Sequence, residues 1–372
     1  MIPRGMLSLI VGGGVCLTPF SQGAPKIIPV ASDPLELVAG QIPVAETTTS
    51  RTAILHLLAR ARDSYALRNA GLGYDLKINF QVDSQGQTNY DGAWELEDMF
   101  VPGQGLRWTA QAAAGYTITG LSLHGQLYGE ATADSIPLRL EEARGILLHP
   151  LPSAEYASRE SIRTATATFR GALVTCVLLS SVKKAPVPAL GRAWEESEEC
   201  IDPESGLLQM HSEVPGRYVV YDYSSAPQFG GHTLPRTVTV TEGGRIVSKI
   251  SVEKLEEVSA ADPNLFAPTD AMRERGRTVE MTAATKISRF HGKAPITSAM
   301  TIRPVCVFGI ATPTGRLVEA HSLQPSDPNS QAALEDAKQI DFSAPTSPSG
   351  TSAGAPPRQH FVFVIEKFAS RK

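Results

Sequence analysis

From residue 74 the apolar side chains of this chain change from a helical spacing to strict alternation. Tyr74, Leu76, Ile78, Phe80 and Val82 alternate with Asp75, Lys77, Asn79 and Gln81. A period of two over nine residues describes a strand with one dry face and one wet face. The pattern recurs after SQGQ, where Trp94 and Leu96 alternate with Glu95 and Glu97, and again beyond PGQG in LRWTAQAAAGYTITGLSLHGQLYGE. Such runs, separated by short turn-forming clusters, specify an antiparallel meander. The 31 Gly and 27 Pro of the chain supply those turns.

Helical spacing brackets the first strands. Ile54, Leu57, Leu58, Ala61 and Tyr65 mark one face of a helix, with Ser50 or Thr49 as its cap and Gly71 as a stop. IPLRLEEARGILLHPLP predicts a second helix, with Pro137 early and Pro150 at its end. Strands resume with TATATFRGALVTCVLLSS, continue through RYVVYDYS and LPRTVTVTE, and turn at Gly243–Gly244 into RIVSKISVEKLEE.

At 372 residues and 42% apolar content the chain is long enough for two domains with real cores. A net charge of −4, thinly spread, offers no basic face for nucleic acid. Arg4, the apolar stretch Met6 to Phe20, and small residues at Ser21 and Gly23 form a secretory signal pattern with cleavage before Ala24. The stretch is shorter than a membrane-spanning helix needs and is broken by Gly12, Gly13 and Gly14. Export to an oxidising compartment makes Cys176 and Cys200, each beside a strand-like run, the expected disulfide. Cys306, in the alternating VCVFG, reads as a small buried side chain.

No residue pattern announces catalysis. The eight histidines are scattered, with no pair at metal-ligand spacing and no CxxC. Ser180 and Lys183 form an isolated SxxK without the companion motifs that would make Ser180 a nucleophile. Glu195, Glu196, Glu198 and Glu199 read as a solvated acidic turn. The expectation is a non-enzymatic protein with no catalytic residue, no metal and no cofactor.

Residues 51–270 carry a leading amphipathic helix, a long meander with a helical interruption, and the exit VEKLEEVSAADPNLFAPT. This order resembles the LolA/LolB-like lipoprotein-carrier superfamily. The resemblance implies an unclosed curved sheet covered by helices, with an apolar hollow for a lipid or acyl chain. The last part of the chain runs strand, strand, helix, strand: TIRPVCVFGIATP, GRLVEAHSLQ, SQAALEDAKQIDFSAP and QHFVFVIEKF. Gly315 to Leu323, the helix Ala332 to Gln339, Phe342-Ser343-Ala344-Pro345, and Val362, Val364 and Phe368 of the last strand resemble the TonB C-terminal domain family. The opening Tyr-Pro pair of that family is missing, Ile340 stands at its usual Trp, and no proline-rich spacer precedes the domain.

These resemblances imply an α+β fold: a curved antiparallel sheet, a LolA-like half-barrel with covering helices, followed by a small TonB-like ββαβ domain. The expected division is a signal at 1–23, an extended lead-in at 24–50, the sheet domain at 51–270, a linker at 271–298 and the C-terminal domain at 299–372. The TonB-like part implies partner capture by strand addition, with a TonB-dependent outer-membrane receptor or another envelope protein as guest. Phe361, Val362, Phe363, Val364, Ile365 and Phe368 of the final strand are the expected edge. A periplasmic carrier of lipid or lipoprotein is the alternative.

Overall fold

The computed structural model describes residues 26–27, 36–37, 44–45, 48–88, 90–132, 137–181, 192–275, 284–291, 300–342 and 359–371. The expected signal at 1–23 lies outside them. So does most of the lead-in.

The alternating segments form the expected meander. In chain order they are β1 (Tyr74–Val82), β2 (Gly92–Val101), β3 (Gly105–Ala112), β4 (Thr117–Leu123), β5 (Gln126–Ala131), β6 (Ser161–Phe169), β7 (Ala172–Ser180), β8 (Ser197–Ile201), β9 (Leu208–Ser212), β10 (Arg217–Asp222), β11 (Thr237–Glu242) and β12 (Arg245–Glu257). They pair in the order β6-β7-β8-β9-β10-β11-β12-β1-β2-β3-β4-β5. Two-residue segments at 36–37 and 44–45 both pair with β6. The ladder is antiparallel throughout, and its ends, at β5 and at the short segments beside β6, do not meet. The sheet is therefore unclosed.

Three helices lie along one face: α1 (Thr48–Ser64), α2 (Leu138–Leu148) and α3 (Ala154–Arg159). Ile54, Leu58 and Ala61 of α1 share one core with Leu140, Ala143 and Leu147 of α2 and with the inward side chains of β1, β2, β10, β11 and β12. Phe80 and Trp94 stack at 5.5 Å within it, and Tyr116 meets Trp94 edge-on. Each fully buried aliphatic or aromatic side chain contributes about 1.5–3 kcal/mol. This face is thus filled by helices and rings. A smaller core on the opposite face gathers Phe169, Val174, Met210 and Tyr218 around Cys176 and Cys200. Those two cysteines are directly opposed on β7 and β8, with Cα atoms 3.9 Å apart, and they form the expected disulfide.

After a short α4 (Asp270–Arg275) comes β13 (Thr285–His291), in a stretch expected to be linker. The expectation missed it because its alternation is weak and Lys286, Ser288 and Arg289 are polar; the first two reach Glu213 and Glu195. Then follow β14 (Met300–Ala311), β15 (Leu317–Ser322), α5 (Ser330–Ala337) and β16 (His360–Arg371). The expected strand, strand, helix, strand order is present.

The position of the final strand differs from expectation. β16 is central: it pairs with β14 from Met300↔Arg371 to Ala311↔His360, and with β13 from Thr285↔Val362 to His291↔Phe368. Both of its ladders are filled, so it has no free edge. Its side chains are core. Phe361, Phe363 and Ile365 join Cys306, Phe308 and Ile310 against Leu138, Trp194 and Val214 of the first unit. Val362 and Val364 face the other way, with Val305, Val307 and Ala333 of α5, and Phe368 packs beside them. The second sheet is sandwiched between α5 and the first unit, sharing a core with each.

Pro304 inside β14 shows how the pairing tolerates a residue without N–H. On the side away from β16, β14 pairs with 26–27 at Thr301 and Ile302, and with β15 only from Val307 onward. Pro304 falls in the gap. Beside that gap Gln324 Oε1 accepts from the Cys306 N–H at 2.6 Å.

Candidate functional site

With β16 interior, the second sheet is open among the described residues at β13, which pairs only with β16, and at β15. β15 pairs with β14 on one side, and no described strand pairs with the other. The register slips between Ile310↔Glu319 and Ala311↔Leu317, which makes Val318 the extra residue of a β-bulge. Bulging turns Val318 outward, where 44% of its surface is exposed. One backbone group on the open side is already engaged: the Ala320 N–H donates to Gln87 Oε1 at 3.0 Å. A side-chain carbonyl there occupies the place a guest strand's carbonyl would take.

Gln87 comes from the β1–β2 turn, which one carboxylate organises. Asp91 accepts from the Ser84 N–H at 2.9 Å and from the Gly86 N–H at 2.8 Å. Burial alone would raise the Asp91 carboxyl, but the donors at Ser84, Gly86 and Thr88 hold it below the usual range. Between this turn, the edge of β15 and the end of α5 lies an open cleft of about 770 Å³. Arg316, Leu317, Val318, Lys338 and Ile340 line it, with Asp341 at one side. A second depression of about 430 Å³ lies over β1–β4. In its lining Lys77 pairs with Glu97 at 3.1 Å, and Arg107 approaches the same carboxylate at 3.8 Å.

The inward side chains of β15, Glu319 and His321, enter a buried ion network that joins the two sheets. Arg139 of α2 reaches Glu142 at 3.1 Å, both oxygens of Glu242 at 2.8 and 3.0 Å, and Glu319 at 2.5 Å. Arg217 of β10 donates to Glu242 at 2.9 Å and to Glu213 at 2.6 Å, and also holds Glu142. Both guanidiniums lie over Phe308, at 4.8 and 5.6 Å. Burial would raise Glu242, yet Arg139, His321 and Arg217 hold it well below the usual carboxylate range. His321 Nε2 is 2.9 Å from Glu242. Glu242, Glu319 and His321 could each offer an atom to a cation. Arg139 and Arg217 already take both Glu242 oxygens, so an entering cation would meet two fixed positive charges.

A second network corrects the reading of residues 195–199 as a solvated turn. Glu196, Glu198 and Glu199 are buried around β8. Arg163 clamps Glu196 with two bonds of 2.6 and 2.7 Å, and Arg192 reaches Glu198 at 3.3 Å. His211 bridges Glu199 at 2.8 Å and Glu213 at 3.1 Å. Burial opposes its protonation, but the two carboxylates raise it to about 10. The meeting of Arg163, Arg192 and His211 with these carboxylates depends on the sheet order. Ser180 ends β7 and is buried, and Lys183 lies outside the described residues.

No family model matches this chain, and no curated relative does. Among solved structures it is similar to a DUF1329 family protein from Desulfovibrio piger, at 9% identity and TM-score 0.37, covering 59% of this chain and 98% of that one. It is similar to a LolA superfamily protein from Nitrosomonas europaea, at 9% identity and TM-score 0.33, covering 57% and 96%. It is also similar to MucB of the Pseudomonas aeruginosa MucA/MucB complex, at 11% identity and TM-score 0.27, covering 71% and 81%. None of these is a TonB C-terminal domain. At such scores the architecture stands on the strand order itself. No helix of the described residues is long and apolar enough to cross a membrane.

Proposed function

We propose that this is a non-catalytic partner-binding protein of the cell envelope, which captures an extended segment of another protein by strand addition at β15. The observation that carries the reading is the cleft along the open edge of β15, where Gln87 holds the Ala320 amide in the manner of a guest strand. Strand addition supplies main-chain hydrogen bonds, and neighbouring side chains select the guest. The reading keeps the mode expected from the sequence and moves it from β16 to β15. A TonB-type receptor as the guest rests only on the strand, strand, helix, strand order. Placement in the envelope rests on the signal pattern at 1–23. MucB is described in complex with MucA, and that partnership belongs to MucB.

Photocrosslinking tests the reading. A photoreactive amino acid in place of Val318 should give a discrete adduct in intact cells, and the same probe in place of exposed Leu173 should not. No adduct from Val318 would rule the reading out.

An acyl-chain carrier is the second reading, favoured by the unclosed sheet with helices laid along one face. Side chains of α1 and α2 fill that face, so the helices would have to lift to admit a chain. Lipid found by mass spectrometry in the purified protein would support it.

A further inference from the structure

Resting on the β15 reading, we infer that the guest is an acidic, aliphatic extended segment and that Gln87 is a built-in competitor for its place. Three features of the cleft define the guest. The first is geometric: on the open edge of β15 the Ala320 N–H donates to a side-chain amide oxygen, Gln87 Oε1, at 3.0 Å. An incoming strand presents a peptide carbonyl of the same chemistry, so guest and Gln87 cannot both hold that amide. The second is apolar. Leu317, Val318 and Ile340 line the cleft, and Val318 is set outward by the bulge, so alternate aliphatic side chains of a guest have surface to cover. The third is charge. Arg316 and Lys338 are exposed on the cleft walls, against Asp341 alone. The wall therefore carries a positive excess that favours a carboxylate on the guest.

The chain's own residues 343–358 lie next to the cleft in sequence, after Asp341 and Phe342. They read SAPTSPSGTSAGAPPR, with four prolines, one arginine and no acidic residue. Proline withholds the N–H a strand needs, and the charge has the wrong sign. The chemistry favours a separate partner.

The probes are two synthetic peptides of alternating valine and threonine, one carrying two glutamates and the other two lysines at the same places. Binding is read by hydrogen exchange of the Ala320 amide in the full chain, in the wild type and in Gln87→Ala. Gln87→Ala should speed exchange at Ala320 in the free protein, and the glutamate peptide should restore protection at lower concentration than in wild type. Arg316→Ser and Lys338→Ser should each weaken that peptide about two- to fivefold. The lysine peptide should bind more weakly than the glutamate peptide. Equal binding of the two peptides would overturn the acidic guest and leave strand addition intact. Failure of both to protect Ala320, even in Gln87→Ala, would remove the β15 site itself. If Ala320 stays protected in Gln87→Ala and is released only when 343–358 is replaced by a short Gly–Ser linker, the occupant is the chain's own segment and the inference is overturned.

Discussion

One disulfide and one histidine show how single side chains set stability here. The Cys176–Cys200 bond closes a loop of 24 residues between adjacent strands, and constraint of the unfolded chain by such a loop contributes about 3 kcal/mol. Reduction should lower the urea midpoint accordingly, and in the unreduced, unfolded protein only Cys306 of these three should react with a thiol reagent. His211 gives a pH effect of known sign. Its folded value, near 10, lies above the ordinary 6.5 because of Glu199 and Glu213. Its contribution is therefore fully present below about pH 6.5 and falls as pH rises toward 10. Urea unfolding of the wild type should show lower stability at about pH 8.5 than at pH 7, and His211→Gln should flatten that difference. An unchanged difference in the variant would assign it to other groups.

At the scale of elements, β15 has two roles. Its open edge faces the cleft, and its inward side chains anchor it to α2, β10 and β11 through Arg139 and Arg217. Removing one partner of a buried charge network leaves the others unpaired and costs about 3–5 kcal/mol. Arg139→Ala should do so, and Val318→Ser, at an exposed bulge, should stay within about 0.5 kcal/mol of wild type; chemical denaturation measures both. The meander and its turns were legible because alternation and turn residues are local signals. The status of the acidic run was not, since Arg163, Arg192 and His211 reach it from β6, from the approach to β8 and from β9. Sequence spacing cannot show such a meeting.

For the whole molecule, the C-terminal elements are not a freestanding unit. Phe308, Phe361 and Phe363 share a core with Trp194 and Val214, and β13 supplies one neighbour of β16. A fragment of residues 299–372 lacks both, and should expose that apolar face, bind a hydrophobic dye and give poorly dispersed amide spectra. A well-dispersed spectrum from the fragment would show that the ring cluster is dispensable to it. In the full chain, far-UV signal and Trp fluorescence should report one coincident unfolding transition, because the shared core and the ion network couple the sheets.

The sequence by itself determined the strands of the meander, the helices α1 and α2, the disulfide pair and the strand, strand, helix, strand order at the end. Each of these rests on a short-range period, a turn residue or a cysteine beside a strand. Only the tertiary structure decided which strand is the edge. The TonB-like resemblance makes β16 the expected edge, yet β13, hidden in an apparent linker, covers its far side. Edge status depends on which partners arrive from elsewhere in the chain. No local pattern of Phe361 to Phe368 records that, and the open edges lie at β13 and β15.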